Sequence, residues 1–155
     1  MTNNYAVIRL KSKKDNWFLS SFIMLTVFLA GCISASAQTY WMQKGGGTSA
    51  DEAYGISMDG TGNTYTTGYF TGTATFGAFT LTASGVSDIF VAKTNSSGVY
   101  QWVEKGGDGG SDRGLAISTD ASGNTYVTGY YYGTATFGAH TITSAGLQDV
   151  FYCKV

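Results

Sequence analysis

Asp59-Gly60-Thr61-Gly62-Asn63-Thr64-Tyr65 and Asp120-Ala121-Ser122-Gly123-Asn124-Thr125-Tyr126 are the same turn and strand start written twice. The repeat extends in both directions. A shift of 61 residues carries residues 41–94 onto 102–155 without a gap, with 28 identities in 54 pairs. Trp41 meets Trp102, and Lys44-Gly45-Gly46 meets Lys105-Gly106-Gly107. Residues 72–78 and 133–139 are identical, and Asp88, Phe90 and Lys93 meet Asp149, Phe151 and Lys154. A repeat of fixed period decides the architecture, because each copy is one supersecondary unit that buries its apolar faces against its neighbours.

The repeated segment reads as strands separated by glycine turns. The 155 residues include 22 glycines and no proline; 15% are aromatic and only 12% charged, a composition that favours an all-β fold over a helical or disordered one. Residues 54–59 alternate, with Tyr54, Ile56 and Met58 on one face. Residues 59–63 form a tight turn in which Gly62 supplies a positive φ and Asp59 bonds turn amides. Strands are expected at 40–44, 54–59, 64–70, 89–92 and 99–105, with a small hairpin around Gly77 inserted over 73–84. The second copy repeats them at 115–120, 125–131 and 150–155 and then stops one strand short. Ile89-Phe90-Val91-Ala92 is apolar on both faces, so it lies between two layers. Phe90, Phe151, Ile56 and Ile117 are the expected core.

Residues 1–37 read as an export signal. Arg9, Lys11, Lys13 and Lys14 precede an apolar run at 17–30, and its 14 residues are short for a membrane span, which needs about 20. Ala35-Ser36-Ala37 before Gln38 is an A-x-A cleavage site. Leu29-Ala30-Gly31-Cys32 resembles a bacterial lipobox, in which Cys32 would be acylated. The A-x-A cut is preferred because it leaves the mature chain starting just before the first strand. An uncleaved signal anchor is the third reading, and each of the three places the remainder outside the cytoplasm: secreted, periplasmic or at the cell surface. Beyond residue 37, 9 acidic and 5 basic side chains leave a net charge of −4, with no basic cluster to neutralise phosphates, so nucleic acid is not an expected partner. Membrane contact is expected only through a lipid anchor or an uncleaved signal.

Four strands per repeat, one of them buried on both sides, is the unit of a β-propeller blade. The motif Trp-x-x-Lys-Gly-Gly, Ile-Ser-x-Asp-x-x-Gly-Asn-Thr-Tyr-x-Thr-Gly-Tyr, Phe-Gly and Asp-(Ile/Val)-Phe-x-x-Lys resembles the SBBP-type bacterial β-propeller repeat. The resemblance spans 40–155 and implies two blades of an incomplete propeller, the second lacking its outer strand, divided as 38–105 and 106–155. It implies an exported or surface protein and carries no common activity, so no catalytic residue is transferred. Two repeats are fewer than the roughly four to eight blades of a ring. Self-association, or the missing blades of a longer chain, is therefore the expected partnership.

No chemistry-bearing constellation emerges, and neither a cofactor, a metal site nor an enzymatic activity is expected. Asp51/Asp112, Asp59/Asp120 and Asp88/Asp149 occur in both copies, as turn caps would, whereas an active site is built once. The turn at 59–63 places oxygens at loop positions one and five, but an EF-hand loop also needs a ligand at its third position and a glutamate at its twelfth. His140 is the sole histidine and aligns with Phe79, too little for a multi-histidine metal site or a marked Ser-His-Asp set. Cys153 aligns with Ala92 and reads as an inert buried thiol. Gly45-Gly46 and Gly106-Gly107 lack the Lys-Ser/Thr of a phosphate loop and read as turns. Tyr130-Tyr131-Tyr132, Trp41, Tyr40, Tyr100 and Trp102 could stack a sugar ring, although packing between blades is the favoured role for these rings. The leading expectation is a non-catalytic interaction or structural scaffold; the alternative is a small glycan-binding lectin assembled from two-blade chains.

Overall fold

The computed structural model describes residues 40–155. The expected export signal, its cleavage sites and Cys32 lie outside the described residues. Within them the chain is all-β, with ten strands and no helix. The first copy runs β1 (Gly45–Gly47), β2 (Glu52–Met58), β3 (Thr64–Phe70), β4 (Thr73–Phe76), β5 (Phe79–Thr82), β6 (Asp88–Thr94) and β7 (Tyr100–Gly107). β2, β3, β6 and β7 lie side by side and antiparallel, and β4–β5 leaves them as a hairpin. The second copy runs β8 (Arg113–Thr119), β9 (Thr125–Phe137) and β10 (His140–Lys154). There β9 spans what β3 and β4 divide between them, and β10 spans β5 and β6, with the register broken between Thr143 and Gln148.

The two copies meet through a shared strand. β7 pairs with β6 along most of its length, and then Gly106 and Gly107 pair with Phe137 and Thr136 of β9. β1 makes the same junction one repeat earlier, pairing Gly45 and Gly46 with Phe76 and Thr75. These glycines are therefore strand residues rather than the expected turns. The Phe76 ring covers Gly45 and the Phe137 ring covers Gly106, leaving no room for a side chain at either position. This handover from one layer to the next bends the seven-stranded sheet into a strongly curled half-barrel.

Two apolar layers follow from the strand alternation. Phe70, Ala74, Phe76, Phe90, Ala92 and Val103 form one cluster on the first copy. Ile89 and Val91, on the opposite face of β6, pack with Val127, Tyr131, Ala135 and Phe151 of the second copy. The four residues 89–92 are all buried, as a strand between two layers requires. Repetition is geometric as well as sequential: Phe76 and Phe90 stack at 4.9 Å and 41°, Phe137 and Phe151 at 4.8 Å and 38°.

Three further expectations need correction. Residues 40–44 lie outside any strand; the strand there is Gly45–Gly47, because no neighbouring strand stands beside the earlier residues. Ile56 is 69% exposed, whereas its counterpart Ile117 packs against the inter-copy cluster, because the second copy's face is covered and the first copy's is not. Cys153 is half-buried at the margin of that cluster rather than enclosed. No helix of the described residues is long and apolar enough to cross a membrane.

Truncation of Phe90 or Phe151 to Ala is expected to cost about 3–5 kcal/mol through the cavity left behind. Ser122→Ala, in an exposed turn, is expected to change stability by less than about 0.5 kcal/mol. Denaturant unfolding of the three variants checks this, and equal losses would show that the strand faces are misassigned.

Candidate interaction surfaces

The recurring carboxylates are turn clamps. Asp59 Oδ1 accepts hydrogen bonds from the Thr61 and Asn63 amides and Oδ2 accepts from Asn63 Nδ2, at 2.9, 3.0 and 2.7 Å. Asp120 repeats all three, through the Ser122 and Asn124 amides and Asn124 Nδ2. The turn needs glycine at its fourth position, where φ is 84° at Gly62 and 85° at Gly123. Asp51 ties the Gly47 amide at the end of β1 to the Thr71 amide after β3. Asp112 does the same for Asp108 and Tyr132. Asp88 accepts from the Ser84 amide and pairs with Lys105 Nζ at 2.8 Å, while Asp149 accepts from the Ala145 amide.

These bonds set the titration of the clamps. The Asn63 side chain, with lesser help from Thr61 and the turn amides, holds the Asp59 carboxyl well below the ordinary carboxylate range. The Asn124 side chain does the same, more mildly, for Asp120. Burial pushes the Asp112 carboxyl up, opposed by the Tyr132 and Asp108 amides. Burial likewise raises the Cys153 thiol, which therefore has little thiolate to react. His140 sits exposed at the start of β10, on the inserted hairpin. Among the described residues no three of His, Cys, Asp or Glu converge as metal ligands would.

The aromatic run divides. Tyr131 is buried in the inter-copy cluster, and Tyr130 and Tyr132 meet edge to face at 6.1 Å, half-exposed. Trp102 and Tyr100 pack beside the two clusters. A polar knot that single-copy reading of the motif misses joins the copies at one rim. Glu52 accepts hydrogen bonds from the Tyr54 and Tyr69 hydroxyls, and Arg113 lies over the Tyr69 ring at 4.2 Å while donating to Tyr54. The Tyr54 and Tyr69 bonds hold the Glu52 carboxyl below its ordinary value. Glu52 aligns with Arg113, so a motif-level comparison erases this knot.

One broad apolar face remains open, and a groove lies on the first copy. On the second copy, Val150 and Tyr152 are 80% and 90% exposed, although their counterparts Ile89 and Val91 are 0% and 2% exposed. On the first copy, a groove of about 450 Å³ runs between residues 41–45 and the sheet, floored by Thr66, Phe90 and Ala92 and closed by Tyr100. It lies on the face of the first copy that corresponds to the covered face of the second. No family model matches the chain, and no curated protein matches it.

Asp59→Ala is expected to lower the melting temperature at neutral pH more than Asp120→Ala, since Asp59 also accepts from the Tyr65 and Thr61 hydroxyls. A carboxyl whose folded pKa is depressed contributes stability above its unfolded pKa and loses it as pH falls through the folded one. The deficit of Asp59→Ala should therefore shrink as pH drops below about 4. Thermal melts of wild type and variant between pH 7 and pH 2 measure it.

Proposed function

We propose that this chain is an exported, non-catalytic protein of β-propeller repeats, two blades of which act as an interaction or structural scaffold in the periplasm or at the cell surface. The observation that carries the reading is the face-to-face packing of two like units, with Ile89 and Val91 of one against Val127 and Phe151 of the next. Further support comes from the four-strand meander β2-β3-β6-β7, which has the strand order of a blade. The repeat motif, with its resemblance to SBBP-type sequences, supports the same assignment. The recurring acids are occupied by turn amides, which favours scaffold over catalyst.

Export is supported by the basic, apolar and small-residue succession of residues 1–37. The mass of the mature protein tests it: a chain beginning at an acylated Cys32, or one beginning at Gln38, is expected. Recovery of the whole population in the cytoplasm, starting at Met1, would overturn the export half of the proposal. Ile89→Asp tests the other half. It places a charge in the layer between the blades and is expected to abolish cooperative unfolding, since an unpaired buried charge costs several kcal/mol. A glycan array weighs the lectin alternative, for which the half-exposed pair of Tyr130 and Tyr132 is the supporting feature; a saturable glycan signal lost in Tyr132→Ala would favour it.

A further inference from the structure

Arg113 is held at the rim between the copies with most of its donors unused. Its guanidinium lies 4.2 Å over the Tyr69 ring, and among the described residues its hydrogen bond runs from Nη1 to the Tyr54 hydroxyl, at 3.1 Å. A guanidinium carries five N–H donors in a fixed fork. Nε is buried without a partner, so the ring below and the hydroxyl beside it fix the head and leave the other donors of Nη1 and Nη2 for an acceptor. Among the described residues no carboxylate stands at ion-pair distance from it. Glu52 acts on it through space, each of its oxygens accepting from a tyrosine hydroxyl. We propose that Arg113 anchors the carboxylate of an acidic sugar, a hexuronate, whose ring is held by Tyr54, Tyr130 and Tyr132. An acid anchor here builds on the saccharide reading of the rim tyrosines and requires no particular number of blades.

The surroundings suit such a ring. Arg113 faces Tyr130 across the β8–β9 pair, and the Tyr130 ring meets Tyr132 edge to face at 6.1 Å. Tyr54 is 41% exposed, and Tyr130 and Tyr132 are half-exposed, so aromatic surface is open beside the charge. A pyranose has apolar C–H faces and polar edges, and a tyrosine matches it with an apolar body and a polar tip. Gln148 Oε1 accepts from the Tyr132 hydroxyl at 2.9 Å, which leaves the Gln148 side-chain amide to donate to a sugar hydroxyl.

Charge selects the kind of acid. A planar carboxylate takes a guanidinium in a bidentate pair. A sulfated or phosphorylated polymer needs a basic cluster, whereas beyond residue 37 there are 9 acidic and 5 basic side chains, and Glu52 repels a second negative group. The cluster is also built once. The shift of 61 residues sets Arg113 against Glu52, Tyr54 against Leu115 and Tyr132 against Thr71, while the aspartate clamps recur in both copies. Residues that serve the fold of each repeat recur with it; these do not.

Titration calorimetry of the full-length protein tests the anchor. The probes are trimers of galacturonate and of glucuronate, and their methyl esters, which keep the shape and lose the charge. Saturable binding of an acid trimer is expected, weaker by about tenfold or more for its ester, as loss of charge-assisted hydrogen bonds implies. Arg113→Gln should remove the preference for the acid, and Tyr132→Ala should weaken acid and ester alike. Glu52→Gln removes a repelling charge and should tighten binding of the acid while leaving the ester unchanged. Thermal melts establish that each variant is folded; if Arg113→Gln is not, Glu52→Gln and the ester comparison decide. Equal binding of acid and ester would overturn the acid anchor and leave the saccharide reading standing. Absence of binding to any of the sugars would overturn both. Binding of tri-glutamate as tight as that of the acid trimers would replace the sugar with an acidic peptide. An Arg113→Gln chain that melts as the wild type does and still prefers the acid would also overturn the proposal.

Discussion

The structure depends on one shared strand. β7 begins as the outer strand of the first layer and ends bonded to β9 of the second through Gly106 and Gly107. Its backbone groups must find partners wherever the chain goes, so bonding to both layers fixes their spacing and their relative turn. Glycine is required where β7 crosses, since the Phe137 ring lies over Gly106 and φ reaches 114° at Gly107. Asp112 then locks the exit by binding the Asp108 amide and reaching across to Tyr132. The motif Lys-Gly-Gly followed by Asp is thus a device for handing the chain from layer to layer.

With the layers so spaced, burial supplies the stability and the polar clamps supply the geometry. A fully buried phenylalanine is worth several kcal/mol, whereas a typical hydrogen bond contributes about 1 kcal/mol net. The stacks of Phe76 on Phe90 and Phe137 on Phe151 therefore outweigh any single clamp. The clamps matter because a loosened turn at Asp59 or Asp120 would let β2 and β8 slip in register, and a slip of one residue exchanges the two faces of a strand. The ion pair of Lys105 with the wholly buried Asp88 belongs to the same class. Its loss would leave the buried Asp88 carboxylate without its countercharge.

Most of this is legible in the sequence because it is written twice. The turns at Gly62 and Gly123, the hairpin around Gly77 and the doubly buried run at residues 89–92 all follow from local pattern. Two of the corrected expectations share one cause. Residues 41–44 and Ile56 take their assignment by analogy with residues 102–105 and Ile117, but burial and pairing belong to neighbours, not to residues. The repeat shows what a residue would do with a partner beside it; only the structure shows where the partner stands. The knot of Glu52 and Arg113 escapes for the opposite reason, since it is made by a difference between the copies rather than by a likeness.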